Sequence, residues 1–327
     1  MTLTQLGAFV LVARLGSVRA AASALGVSEP AVSQALASLR RQFDDDLIVR
    51  DQTGMCLTAG GQRLVGIASQ MVALGSEAEA AVRQAKGAPE RLRVVADAVV
   101  AELVVPSLLE AFQSRTPELE CTVGVATRAE MPVLLAERLA DVAIGPALSG
   151  EEAAGIETRP VMRCQAVVVG AASSSRPVGP GRRAGTLGDG EVLSQARWLL
   201  GPSSTDPASA EARLVSRFRV PPERLRVFPS QSAAWSAAAD GQGVAPAISH
   251  LVMPELAGGR LRMLELAGLP VGMTWFVSTL GGGRRSQLAG SLCHFLGTPQ
   301  AMQVMHRPGQ GVPPSRFRPP VYVTIWS

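Results

Sequence analysis

Residues 24–40 read ALGVSEPAVSQALASLR. An alanine-rich apolar segment runs into Leu25, stops at Gly26, and restarts within three residues as a second helical segment. Gly26 suits the left-handed position that closes a helix. Ser28 is an N-cap for the next helix, Glu29 sits near the positive end of its dipole, and Pro30 falls in the first turn, where its missing N–H costs nothing. Upstream, Leu6, Phe9, Val10 and Ala13 recur at helical spacing and predict a helix over about residues 2–14. Gly16 and Ser17 end it, and Ser17 caps a helix from Val18 to Leu25. Ala22 is small enough for two helices to approach closely, while Val32 and Leu36 turn the later helix back onto the earlier one. This is a helix-turn-helix pattern, and a fixed angle between short helices serves to present the second to a partner.

Glu29, Pro30, Ser33, Gln34 and Ser38 are left outward on that helix, with Ser28 at its start. They are short or hydrogen-bonding, as a helix in a major groove requires; the same spacing also fits a helical hairpin with a solvated face. The next thirty residues favour DNA. Leu47–Arg50 is β-rich, Asp51–Gly54 reads as a turn and Met55–Leu57 as a return strand, together a wing with Arg50 placed to reach a phosphate or the minor groove. Thr58 then caps a long helix in which Leu64, Ile67, Met71, Leu74, Ala78, Ala81 and Ala85 recur at alternating three- and four-residue steps. Such a seam calls for a partner helix. No apolar surface in residues 1–58 looks long enough to cover ~40 Å of helix, so dimerisation through residues 59–88 is expected.

Composition narrows the chemistry. The chain has 327 residues, 47% hydrophobic and 18% charged, which describes a buried globular protein. Its four cysteines lack C-x-x-C spacing and point to neither a zinc site nor a disulfide framework, fitting a reducing cytoplasm. The N-terminus lacks the features of a signal peptide, and the uncharged run 266–283 holds Pro270 and five glycines, so no membrane span is expected. Lys86 is the only lysine, which leaves no Walker lysine or Schiff-base lysine in a suitable context. Neither G-x-S-x-G nor H-E-x-x-H occurs, and His250, His294 and His306 lie far apart in sequence, so no enzyme, cofactor or metal is expected. Gly281–Arg285 reads as a hairpin turn rather than a phosphate loop. Net charge is +4, yet residues 1–90 carry eight basic and eight acidic side chains; DNA binding there would need its basic groups gathered on one face.

Beyond Pro89 the pattern becomes α/β. Strands are expected at 91–96, 121–125, 141–145 and 163–170, with helices over 101–115 and 130–139; this order implies a parallel sheet with helices on both faces. A Gly/Pro/Ser-rich stretch (171–190) follows, then a second βα set: strand 198–200, helix 208–218, strand 225–228, a helix from Ser232, strand 272–279 and helix 286–296. Two lobes are implied, lobe 1 about 91–160 and 266–297, lobe 2 about 161–265. Strand C-termini and helix N-termini meet in the cleft between them. Delivered there are Asp97, Ala98 and Val99, Thr127, the hydroxyl run Ser203, Ser204 and Thr205, and Gln231. The hydroxyl run also fits simple capping of helix 208–218. Residues 298–327, rich in proline and arginine, read as a tail that is largely extended or disordered, whose 321–326 alternates like an edge strand.

The run Phe9-Val10, Ala13-Arg14, Gly16-Ser17-Val18, Ala21-Ala22, Leu25–Ser28, Pro30–Gln34 and Leu39, then Leu47, Arg50, Leu57-Thr58 and Gly60-Gly61, resembles the LysR-type transcriptional regulators. The resemblance is dense over residues 3–65 and weaker to about 297. It implies a winged helix-turn-helix domain (1–58), a dimerising linker helix (59–88) and a two-lobed effector domain (91–297) like that of periplasmic binding proteins. It also implies a homotetramer that binds double-stranded operator DNA under control of a small-molecule effector. By the resemblance Pro30, Ser33 and Gln34 map to DNA contacts and Arg50 to the wing. Where the family commonly carries glutamine this chain has Glu29, which repels phosphate and can accept from a cytosine amino group. Many family members have Ser or Thr near 98–100; here Asp97, Ala98 and Val99 offer a carboxylate and apolar groups, which disfavours a small organic anion and leaves cationic, neutral and sugar-like effectors open.

Overall fold

The computed structural model describes residues 1–307 apart from 52–53, 87, 116–118, 173–192, 208 and 282. The 321–326 strand, nearly all of the 171–190 stretch and the tip of the wing therefore lie outside the described residues. At the N-terminus, α1 (Leu3–Leu15) opens on a capping box between Thr2 and Gln5. Helix α2 (Val18–Leu25) is capped by Ser17 and closes on Gly26 at φ 67°, the left-handed conformation that its sequence position predicts. Ser28 caps α3 (Glu29–Phe43), whose Val32, Leu36 and Leu39 bury against Leu6, Phe9 and Leu11 of α1 and Ala22 and Leu25 of α2. Strands β1 (Ile48–Asp51) and β2 (Gly54–Leu57) pair antiparallel as the wing.

Helix α4 (Ala59–Ala85) has two apolar faces. Ala68 and Val72 are buried in the N-terminal core, with Val72 against Gly7 and Leu3 against Gly75. One face of the first half of α4 is thus covered by α1, which is too short to cover the whole helix; Leu64, expected in the seam, is half-buried on its own domain. Outside that contact, Ile67 is 58% and Leu74 65% exposed, and Met71 and Val82 are exposed with them.

In the larger domain, β3 (Glu90–Ala96), α5 (Ala98–Leu103), α6 (Val105–Gln113), β4 (Leu119–Val125), α7 (Glu130–Ala136) and β5 (Val142–Gly145) form lobe 1. The expected single helix over 101–115 is two, broken at Val104 just before Pro106. Strands β4, β3 and β5 are parallel neighbours. Val94, Ala96, Val142 and Ile144 face the core under α6, whereas Val95 and Ala143 face Met131 and Leu135 of α7. Both faces are covered, as the βαβ order requires.

Strand β6 (Ile156–Ala171) leaves lobe 1 and becomes the spine of lobe 2, which adds β7 (Trp198–Leu200), α8 (Ala210–Arg217), β8 (Leu225–Val227), α9 (Gln231–Ala239), β9 (Ala245–Ile248), α10 (Met253–Ala257) and β10 (Leu261–Met263). The chain returns along β11 (Val271–Leu280), antiparallel to both β6 and β5, and the main sheet has the order β10-β6-β11-β5-β3-β4 with β9 also on β6. The return crossing comes later than residue 265, because Leu266, Leu269, Val271 and Met273 still pack on the lobe 2 cluster of Trp198, Leu214 and Phe218. After α11 (Gln287–Leu296), residues 299–306 are not extended: they form α12 (Pro299–His306), capped by Thr298, with Ala301 and Met305 in the lobe 1 core.

Lobe 1 also touches the N-terminal domain. Glu137, just past α7, is 4% exposed; it accepts from Ser69 Oγ of α4 at 2.6 Å and lies 3.7 Å from Arg14 Nε of α1. Burial pushes its pKa up, and the hydroxyl and the guanidinium pull it back. Val133 and Leu139 pack beside it on the N-terminal core. No helix among the described residues is long and apolar enough to cross a membrane.

Candidate nucleic-acid interface and ligand cleft

Helix α3 is held from behind by its leucines, so its outer face is free. Ser28, Glu29, Pro30, Ser33 and Gln34 are exposed there. Ser28 Oγ is engaged in capping, accepting from Ala31 N at 3.4 Å. Ser38 is not part of this face: it is half-buried and its Oγ accepts from Gln5 Nε2 of α1 at 3.0 Å, because at its place on the helix it has rotated toward α1. Arg50 is exposed on β1 beside the wing turn.

Two residues whose partners the sequence does not reveal fix the wing. Arg40 donates from Nε to Asp46 O and from Nη2 to Ile48 O, both at 2.8 Å, tying the end of α3 to β1. Asp45 Oδ1 accepts from Leu47 N and Thr58 Oγ1, each at 2.7 Å, and Thr58 Oγ1 in turn accepts from Gly61 N in the first turn of α4. These donors hold Asp45 below its ordinary pKa. Asp45, within the acidic run Asp44–Asp46, therefore builds the joint between wing and linker helix.

Between the lobes lies a cavity of about 220 Å³, below the roughly 300–1,000 Å³ of drug-sized pockets and suited to a metabolite. Asp97, Ala98, Val99, Thr127, Ser203 and Gln231 line it, as expected from the cleft-facing loops. Ser204 does not: its hydroxyl turns back to Gly201 O at 2.8 Å within the 3₁₀ turn Pro202–Thr205. Thr205 ends that turn, and its side chain lies outside the described part of the structure. Of the expected hydroxyls, Ser203 thus belongs to the cavity and Ser204 to local structure.

Helix N-termini in the cleft are met by the chain itself. Asp97 Oδ1 accepts from Val100 N at the start of α5. Glu102, buried at the lobe interface, accepts from Gln231 N at 2.7 Å, Ser232 N at 3.0 Å and Ser232 Oγ at 2.6 Å, capping α9 from the opposite lobe. Ser209 Oγ caps α8, and Thr127 gives both N and Oγ1 to Glu130 Oε2. Arg128 N donates to Asp206 Oδ2 at 2.9 Å, a second bridge between lobes.

Glu211, inconspicuous in the sequence, is the most perturbed group lining the cleft. It is 5% exposed. Burial pushes its pKa up to about 8; the nearby N–H groups of Gly201 and Ser204 pull it down, and Asp97 and Glu102 add to the rise. Asp97 is likewise raised by burial, to about 6, against the pull of the Val100 and Val99 N–H groups. The signal available in sequence is only a helix-start glutamate after Ser209, which resembles any solvated first-turn acid.

A LysR substrate binding domain matches residues 85–298, and a bacterial regulatory helix-turn-helix of the lysR family matches residues 3–62. The chain belongs to the LysR family of transcriptional regulators. Among LysR relatives, the HTH-type transcriptional regulator Rv0377 of Mycobacterium tuberculosis is 35% identical over 331 residues, covering 100% of both chains. CbbR of Xanthobacter flavus is 30% identical, over 94% of this chain and 91% of the relative. Among solved LysR structures, CbnR covers 90% of this chain and 98% of its own at TM-score 0.52 and 19% identity. Full-length LysG of Corynebacterium glutamicum with bound effector Arg covers 90% and 97% at TM-score 0.52 and 20% identity. At these identities the structures establish the shared fold: a LysR helix-turn-helix followed by a two-lobed α/β domain.

Proposed function

We propose that this LysR regulator binds a two-fold operator as a dimer of paired α4 helices, assembled further into a tetramer, and that a small molecule in the interlobe cavity shifts its DNA affinity. Pro30, Ser33 and Gln34 read bases, Glu29 accepts from a cytosine amino group, Ser28 fixes the helix start, and Arg50 meets the backbone from the wing. The carrying observation is the exposed polar start of α3, held rigid from behind. The protein acts in the cytoplasm and catalyses no reaction.

The exposed stripe Ile67, Met71, Leu74 and Val82 supports pairing through α4, being apolar and uncovered by the other described residues. Glu102 and Arg128 bridge the lobes, so a ligand that fits only one lobe angle biases that angle, and it can act only through unequal affinity for two conformers. A DNA selection with the wild-type chain and with Ser33→Ala and Gln34→Ala tests the base-reading assignment. Each variant is expected to lose about 1–3 kcal/mol of discrimination at one base position. Unchanged sequence preference in both would remove these side chains from the readout.

A further inference from the structure

The cavity narrows the choice of effector. Among the described residues, its lining holds four carboxylates, Asp97, Glu130, Asp206 and Glu211, against one cationic side chain, Arg213, which is exposed. An anion entering such a site finds most of its natural partners taken, Ser203 Oγ and Trp275 Nε1 excepted. The N–H groups that open α9 are given to Glu102, those of the 127–128 loop to Glu130 and Asp206, and Val100 N to Asp97. Arg128, the other nearby guanidinium, donates to Ala147 O and Ser149 Oγ.

Acceptors, by contrast, are left over. Both carboxylate oxygens of Glu211 and Oε1 of Gln231 are buried atoms of lining residues without a hydrogen-bond partner among the described residues. The N–H groups of Gly201 and Ser204 influence Glu211 from nearby without reaching hydrogen-bond geometry. Gln231, 1% exposed, is fixed with its amide N–H on Pro246 O at 3.0 Å, so its oxygen is the free end. Gly201 brings the two residues together: a Cβ there would collide with Gln231 Oε1 and lie 3.3 Å from Glu211 Oε1. Among the described residues these buried acceptors lack donors, which is costly whether Glu211 is ionised or protonated, and donors brought by a ligand would relieve it.

We propose that the effector is a small organic cation, a protonated amine or guanidinium, whose N–H groups bind Glu211 and Gln231 Oε1 with Asp97 as the second countercharge. The proposal rests on the cavity being the effector site. Ser203 Oγ and Trp275 Nε1, also buried and unpartnered among the described residues, serve the rest of the ligand. In the ligand-free protein Glu211 retains its proton at neutral pH, and a bound cation expels it.

Thermal-shift and calorimetric titration of the full chain with putrescine, agmatine and ethanolamine, against succinate and glucose, tests this. At least one cation should stabilise the protein, and Glu211→Gln should weaken that cation roughly tenfold or more, with Asp97→Asn in the same direction. Binding of the cation by the wild-type chain near pH 7 should release protons, measured as a dependence of the heat on buffer ionisation. That readout needs no variant to fold. Response to succinate or glucose alone, no response to any cation, or cation binding with neither proton release nor sensitivity to Glu211→Gln would each overturn the proposal. Operator binding by the wild-type chain is scored separately: its failure refutes the regulator reading and leaves the cation site standing, while cation failure with intact operator binding refutes only the effector class.

Discussion

Glu211 carries a stability signature of its own. Its folded pKa of about 8 lies above the ordinary 4.5, so the folded state binds a proton that the unfolded state has released. The stabilisation is fully present below pH 4.5 and is lost as pH rises through about 8. Asp97 acts with the same sign in the lower window between 3.8 and about 6. Thermal unfolding of the ligand-free chain should therefore show a falling Tm across that range, and Glu211→Gln should flatten its upper part. A Tm that rises with pH there would contradict the assignment. On the α1-facing side of α3, Ser38→Ala should leave base preference unchanged and cost about 1 kcal/mol or less of stability through the lost Gln5 bond. Single-residue roles are only partly legible in the sequence. Caps at Ser17, Ser28 and Gly26 follow from local chemistry and can be read directly. Ser38, Arg40, Asp45 and Glu211 owe their roles to partners on other elements, which spacing along the chain does not reveal.

The faces of helix α4 differ. One is buried on α1; the other presents Ile67, Met71, Leu74 and Val82 to solvent. Leu74→Asp should reduce the assembly toward monomer in light scattering while leaving the far-ultraviolet dichroism unchanged; an unaltered mass would show that this stripe is not the seam. At the other contact, Glu137 fastens the loop after α7 to both α1 and α4. Glu137→Ala should lower stability by about 1–3 kcal/mol, since Ser69 and Arg14 lose their shared acceptor; a neutral result in thermal unfolding would mean the contact is not held in solution. The heptad spacing picks out Ile67, Met71 and Leu74 but not Val82, and the contribution of α1 is hidden because its apolar residues serve α2, α3 and α4 at once. Strand β9 escapes the sequence for a similar reason: Pro246 argues against a strand by itself, yet its carbonyl receives Gln231 and Trp235 from α9.

Across the whole molecule, the alternation of strands and helices is enough to assign a two-lobed α/β domain, since each βαβ unit has one favourable way to close on its sheet. The crossing positions are not legible, because β6 and β11 run uninterrupted through both lobes and mark no boundary in composition. Nor is α12, where the flanking Pro299 and Pro308 and the adjoining Arg307 disguise an ordinary capped helix. On the proposed reading, the exposed start of α3 meets DNA, the exposed stripe of α4 pairs with a second copy, and the bridged cleft takes the effector. Fluorescence anisotropy of the full chain on the DNA upstream of its own gene, against a scrambled duplex over a salt series, tests this arrangement most directly. Binding to the native sequence should be the tighter of the two and should weaken steeply with salt as phosphate contacts release counterions. Equal affinity for both duplexes, or binding indifferent to salt, would contradict it.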